Sequence, residues 1–332
     1  MPNSFSPDTG NDQSVPVDLS IIIVSWNVVD LLMECLDSVL ENSVVQLLPK
    51  NEHRRIEVII VDSGSSDNTV GMVQKHFPRV KLLAQEENIG FTRGNNIGLE
   101  AAQGRYIFLL NPDTIVLGNA LGEMIKYMDE NPDVGIIGPY TMNTDGTIQS
   151  TRRRFPTVPL AFFESTWLQP FAPKSMLDHY YVRDVPDISV VDIDWVQGSA
   201  LMARREVYEQ IGGLDTGYVM YSEELDWCKR AKEAGWRVVY FCGAQIIHHG
   251  GKSSEQVPAN KHILFQQSKL RYFRKYHGRF VAQSLRLFLL SNYMLQILIE
   301  GAKGLLGHKR KMRFARIRNY WGILRSGLKV TS

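Results

Sequence analysis

Tyr106-Ile107-Phe108-Leu109-Leu110-Asn111-Pro112-Asp113 is the stretch from which the fold can be read. Five apolar residues in a row make a strand buried on both faces, as the central strands of parallel sheets are. Asn-Pro-Asp then stops it, because proline breaks the ladder and all three residues favour turns. A buried strand that ends in a carboxylate aims a hard oxygen ligand into a crevice. Such a ligand suits Mg²⁺ or Mn²⁺ carrying a diphosphate. Alone, the tripeptide is ordinary turn chemistry; its surroundings give it weight.

Upstream, the β-branched run Leu19-Ser20-Ile21-Ile22-Ile23-Val24 leads into Ser25-Trp26-Asn27, and residues 56–61 lead into Asp62-Ser63-Gly64-Ser65. Residues 80–84 and 134–138 are two more strands. Helices are expected from Asp30 through Leu40, from a cap at Asp67 to His76, over 92–102 before Gly104, and within 117–131. This alternation predicts an α/β fold with a doubly wound, mostly parallel sheet. In such sheets ligands bind beyond the carboxyl ends of the strands, where three separate strands here deliver polar tips.

Residues 140–194 read as irregular. After them come an extended stretch (195–204), a short helix (206–210) and a helix capped by Ser222 over 223–234. Two strands follow at 236–242 and 244–247, the second ending in His248-His249-Gly250-Gly251.

The 332 residues, 44% of them hydrophobic, can bury a large core. Three scattered cysteines exclude a disulfide framework or a Cys-based zinc site and fit a reducing compartment. Residues 1–16 are polar, with no apolar segment of a signal peptide, and read as a disordered lead placing the active portion in the cytoplasm. The net charge of +2 hides an asymmetry: residues 261–332 hold sixteen Lys/Arg and one acid, leaving 21 basic and 34 acidic residues before them. A basic tail on an acidic body points to an anionic surface. Within the tail, 287–299 is apolar but shorter than the roughly 20 residues of a membrane span. Asn292, Gln296, Glu300 and Lys303 recur along one helical face, predicting an amphipathic helix lying in a membrane interface. His308-Lys309-Arg310-Lys311-Met312-Arg313, with Arg316 and Arg318, supply a flank for anionic lipid rather than nucleic acid. The expected partition is a lead (1–16), a catalytic domain (17–260, with a nucleotide half at 17–138 and an acceptor half at 139–260) and a basic helical region (261–332).

In order, Ser20 to Asn27, Val61 to Asp67, Asn88-Ile89-Gly90-Phe91 through Gly98, Leu110 to Asp113, Trp195-Val196-Gln197-Gly198-Ser199, Glu223-Glu224-Leu225-Asp226 and Ile247 to Gly251 resemble the family 2 inverting glycosyltransferases of GT-A fold, most closely the bacterial rhamnosyltransferase type. The resemblance implies a divalent metal, Mg²⁺ or Mn²⁺, at Asp113, with Asn111 in place of the first acid of the family's Asp-x-Asp. His248 or His249 would be a second ligand, and imidazole would favour Mn²⁺. It implies nucleotide-sugar contacts from Ser25, Trp26, Asn27, Asp62, Ser63, Asn88, Arg93, Asn95 and Asn111. Trp26 would stack on the base and Asp62 accept its imide N–H; Ser63 stands where the family has Asp or Asn. Glu224 is the implied general base, with Asp226 as its rival. Arg153, Trp195, Gly198 and Glu223 fall on the acceptor side. Each also has a plainer reading: helix-terminus electrostatics for the acids, core packing for Trp195, loop punctuation for Asn88 to Asn95. The implied activity is inverting transfer, with dTDP-L-rhamnose favoured over UDP- and GDP-sugars, onto a growing, lipid-linked cell-surface glycan at the inner face of the cell membrane. The rivals are an inactive GT-A-like scaffold and a sugar-1-phosphate nucleotidyltransferase. The latter needs a Gly-rich basic loop after the first strand, which Ser25-Trp26-Asn27 is not.

Overall fold

Strands β1 (Val17–Ser25), β2 (Arg55–Asp62), β3 (Lys81–Ala84) and β4 (Tyr106–Leu110) run parallel in the order β3-β2-β1-β4. The structure, a computed structural model, describes residues 16–45, 55–250, 258–306 and 309–329. Residues 1–15 of the expected lead (1–16), Gly251 and His308 lie outside the described residues. Ser25 pairs with Asp62 and Ile23 with Leu110, so three strand tips share one edge, as the sequence implied. Side-chain alternation splits the core into two layers. Leu19, Ile21 and Ile23 meet α1 (Val29–Val45), α2 (Thr69–His76) and α4 (Ala120–Glu130) on one face. Ile22 and Val24 face α3 (Phe91–Ala101) on the other. Gly98 makes that contact close: a Cβ there would lie 2.3 Å from Ile22 Cγ2.

Beyond β4 the sheet changes direction. β10 (Ala200–Arg204) runs antiparallel between β4 and β6 (Val134–Met142); β11 (Arg237–His248) lies parallel to β6. β11 is one strand, not two, with an irregularity against β6 between Phe241 and Gln245. β5 (Thr114–Val116) and β8 (Val191–Ile193) pair antiparallel with β11. The stretch read as irregular has its own architecture. β6 turns at Asp145-Gly146, where Gly146 has φ +79°, and the chain returns along it, Gln149 N–H donating to Thr141 O at 2.9 Å. β7 (Arg152–Arg153) pairs with β9 (Trp195–Val196), and α5 (Val158–Phe163) and α6 (Lys174–Tyr180) fill the interval.

The two expected caps act otherwise, and the first helix begins one residue early. Asp30 sits inside the first turn of α1. Asp67 accepts from Thr69 N and Oγ1 and from Val29 N, bracing two loops. Ser222 precedes α8 (Glu223–Glu233) with φ +64° and no side-chain cap, and Tyr221 before it has φ +70°. Consecutive left-handed non-glycine residues are costly and persist where the surroundings impose them.

After α7 (Arg205–Ile211) and α8, the chain ends in α9 (Pro258–Leu305), broken at Gly278 (φ 88°, ψ 167°), and α10 (Arg310–Ser326). Leu270, Tyr272, Phe273, Leu285 and Leu289 are buried in the same cluster as Leu225 and Trp227 of α8. The division expected at 260/261 therefore falls inside a helix that completes the core. Half of the polar line on α9 faces inward, while Gln296 is half-buried and Lys303 exposed. Asn292 and Glu300 are buried, Glu300 accepting from Arg313 at 2.5 Å and Arg316 at 3.3 Å, while Leu287, Met294, Leu298, Leu305 and Leu306 are exposed.

Candidate active site

Asp113 follows β4 by three residues and precedes β5, which pairs with the end of β11, His248 lying opposite Thr114. This brings His248 Nε2 to 3.3 Å from Asp113 Oδ1. That spacing is right for neighbouring ligands on one small divalent ion, whose bonds to oxygen are about 2.1 Å. His249 points elsewhere: its backbone N–H donates to Asp113 O at 2.9 Å, and its Nε2 is 3.8 Å from Glu34, too far for a hydrogen bond. Of the two histidines, His248 fits a metal with Asp113. Among the described residues no group of three or more His, Cys, Asp or Glu could hold a metal, so this corner offers two protein ligands and leaves the rest to a substrate. Asn111 lies beside it, Nδ2 at 3.5 Å from His248 Nε2, with its buried Oδ1 unpartnered.

The other strand tips form one polar edge. Asp62 is 1% exposed; its Oδ2 accepts from Ser65 N at 3.0 Å, and its buried Oδ1 has no partner. Ser25 Oγ is likewise buried and unpartnered. Two such acceptors on one edge suit a polar ligand, since leaving them unpaired costs about 1–3 kcal/mol each. Trp26 is half-buried directly after β1. Several expected donor contacts instead hold the loops together. Asn27 Oδ1 accepts from Ser66 N at 2.7 Å, and Ser63 Oγ accepts from Ile89 N at 2.9 Å and donates to Asn88 Oδ1. Asn95 is spent on its own helix, Nδ2 donating to Phe91 O at 3.0 Å, and Arg93 is exposed on the first turn of α3.

α8 brings the acids. Glu224 Oε1 accepts from Gly198 N at 3.3 Å, and its buried Oε2 is unpartnered. Gly198 packs directly on this carboxyl, and a Cβ there would sit in van der Waals contact with it, 3.4 Å from the Glu224 carboxyl carbon. Burial pushes Glu224 above the ordinary carboxylate range; burial and then the Glu224 charge push Glu223 well above it. The two carboxyls therefore share a site that disfavours two charges. Asp226 differs. It is fully buried and accepts from Arg230 (2.8 Å), Lys275 (2.6 Å) and Tyr276 (2.8 Å), so it ties α8 to α9 with both oxygens already engaged. Trp195, read as a sugar platform, is nine-tenths buried with its indole N–H on Arg154 O. Half-buried Tyr180 and Tyr181 stand nearby, and Arg153 lies 4.6 Å from the Tyr181 ring centre. Burial lowers the Arg153 pKa, so this guanidinium is short of solvent and gains from an anion.

The sequence profile of glycosyl transferase family 2 matches residues 20–193. The chain belongs to that family. Relatives to this family 2 enzyme include the N-acetylglucosaminyl-diphospho-decaprenol L-rhamnosyltransferase of Mycobacterium tuberculosis, 26% identical over 70% of this chain and 79% of its own. The rhamnosyltransferase WbbL of Escherichia coli K12 is 24% identical over 77% of this chain and 92% of its own. The mannosyltransferase PcManGT of Pyrobaculum calidifontis, solved with GDP-Man and Mn²⁺, superposes with a TM-score of 0.54 at 14% identity over 96% of this chain and 89% of its own. The last likeness bears on fold alone, and the fold is GT-A.

The sequence reading missed the surroundings of His248. Gln149 Oε1 lies 2.6 Å from His248 Nδ1, carried there by the hairpin that returns along β6. The one signal available was Asp145-Gly146, a strong hairpin dipeptide.

Proposed function

We propose that this family 2 enzyme moves L-rhamnose from dTDP-L-rhamnose to a hydroxyl of a lipid-linked glycan, with a divalent cation held by Asp113 and His248. The observation that carries the reading is their convergence at 3.3 Å beyond the strand tips. The donor and acceptor follow the names of the mycobacterial and Escherichia coli relatives. When bound, the cation would neutralise charge on the departing nucleoside diphosphate. The chain's own residues do the rest. Asp62 Oδ1 accepts the thymine imide N–H, Trp26 stacks on the base, and Asn111 and Arg153 serve the diphosphate and acceptor sides. Glu224 Oε2 takes the proton of the attacking hydroxyl. Burial and the Glu224 charge push Glu223 well above the ordinary carboxylate range, which disfavours two charges on the pair. A single displacement inverts the anomeric centre. A scaffold without activity would not need Glu224 held by Gly198 with one oxygen left over. Hydrolysis and transfer are to be screened across nucleotide sugars with and without Mn²⁺. We expect turnover of dTDP-L-rhamnose and its loss in EDTA; a clear preference for a UDP- or GDP-sugar replaces the donor, and full activity in EDTA removes the metal.

The acceptor side of the proposal includes a membrane surface. No described helix is long and apolar enough to cross a bilayer. The exposed apolar residues of α9 continue into Met312, Phe314 and Trp321 of α10, interleaved with exposed Lys311, Arg316 and Arg318. Apolar side chains among basic ones suit an anionic lipid surface. The test is Leu298→Asp with Leu305→Asp, both exposed. We expect cosedimentation with phosphatidylglycerol vesicles to fall at least tenfold, with the melting temperature unchanged. Undiminished cosedimentation would place the lipid surface elsewhere.

A further inference from the structure

Resting on the reading of Asp113 and His248 as cation ligands, we propose that Gln149 is a positioning residue that fixes the His248 tautomer. A neutral imidazole carries one N–H, and His248 has an acceptor on each side: Gln149 Oε1 at Nδ1 and Asp113 Oδ1 at Nε2. Only the Nδ1–H form leaves a lone pair at Nε2 for a metal.

Distances separate the two forms. A charge-assisted N–H to a carboxylate would close to about 2.7–2.9 Å. The Asp113 contact is 3.3 Å, whereas the Gln149 contact is 2.6 Å. Asn111 Nδ2, 3.5 Å from Nε2, can only donate, which also suits a lone pair there.

The polarity of the Gln149 amide is itself set from a distance. Asp145 at the hairpin tip accepts from Thr147 Oγ1 at 2.5 Å, and this bond holds Asp145 below the ordinary carboxylate range, acceptor-only at neutral pH. Thr147 Oγ1, having donated, accepts from Asn143 Nδ2 at 2.9 Å. That turns Asn143 Oδ1 toward Gln149 Nε2, which donates to it at 2.9 Å. Gln149 then presents its oxygen, and only its oxygen, to the ring. The sheet brings the ends together: β11 lies between β5, which follows Asp113, and β6, whose hairpin carries Gln149. Without Gln149, the stronger bond from Nε2–H to Asp113 would win and occupy both metal ligands with each other. Such partners of metal-bound histidines are worth about 10–100-fold in metal affinity.

The experiment uses the full chain with ¹⁵N-labelled histidine. Ring nitrogen shifts report the tautomer, and Mn²⁺ alone is titrated with the free ion followed by electron paramagnetic resonance. The wild type is expected to show Nδ1–H at His248. Gln149→Leu should move the proton to Nε2 and weaken Mn²⁺ binding about 10–100-fold. Gln149→Glu, which keeps an acceptor at Nδ1, should restore both. A wild-type ring protonated at Nε2, or Mn²⁺ bound as tightly by Gln149→Leu as by wild type, overturns the assignment of Gln149. Wild type that binds no Mn²⁺ whatever its tautomer overturns the cation reading and this inference with it.

Discussion

Glu224→Gln is expected to lower kcat by about 10²–10⁴-fold, the range a positioned general base supplies, while leaving the dissociation constant of the nucleotide sugar at its wild-type value. The amide keeps the volume of the acid and can still accept from Gly198 N, so α8 and its contacts survive. What disappears is the buried, unpartnered carboxylate oxygen proposed to take the proton. The pH profile gives a second check. The base works when deprotonated, and burial raises its pKa, so activity should fall as pH drops through a midpoint above the usual glutamate value. In Glu224→Gln that limb should vanish from the residual rate. A loss of donor binding equal to the loss of rate would show that Glu224 shapes the donor site instead.

Asp113→Ala should cost at least about 3 kcal/mol of transition-state stabilisation, or roughly 10²-fold in kcat, because it removes the carboxylate proposed to hold the cation. The fold should tolerate it. The bond that ties this loop to β11 runs from His249 N to the Asp113 backbone oxygen, which alanine retains. The paired measurement is the Mn²⁺ dependence of transfer: wild type should saturate with Mn²⁺ and lose activity in EDTA, and the variant should respond to neither. Transfer by Asp113→Ala at the wild-type rate would remove the metal from the mechanism.

The parts of the molecule legible in the sequence are those where a repeated physical pattern was imposed. The apolar runs of β1, β2 and β4 could be buried only inside a sheet with helices on both faces, and their polar endings had to share an edge. Asp113 stood out because charge at the end of a buried strand is expensive, and Glu224 through the resemblance to family 2 glycosyltransferases. Pairwise geometry was less visible. Nothing in the order of residues separates His248 from His249; the register of β11 against β5 does. Asp226 and Glu224 look alike in the sequence, but α9, some 50 residues on, supplies Lys275 and Tyr276 to the first and nothing to the second. The apolar stretch of α9 was legible as amphipathic, yet which side faces α10 depended on Arg313 and Arg316, which take Glu300 inward.

The break at Gly278 bears on how this chain can be recombined with its relatives. Residues before it give Lys275 and Tyr276 to Asp226, and Ser268 Oγ to Met220 O just ahead of the left-handed pair that introduces α8. Residues after it lie against α10 and carry the outward apolar side chains. A chimera joined at 260 would hand the acid-bearing helix to a foreign neighbour, with a buried aspartate whose cation had been exchanged. A chimera joined at Gly278, where the helix is already interrupted, would exchange the outward apolar segment while keeping α8 on its native support.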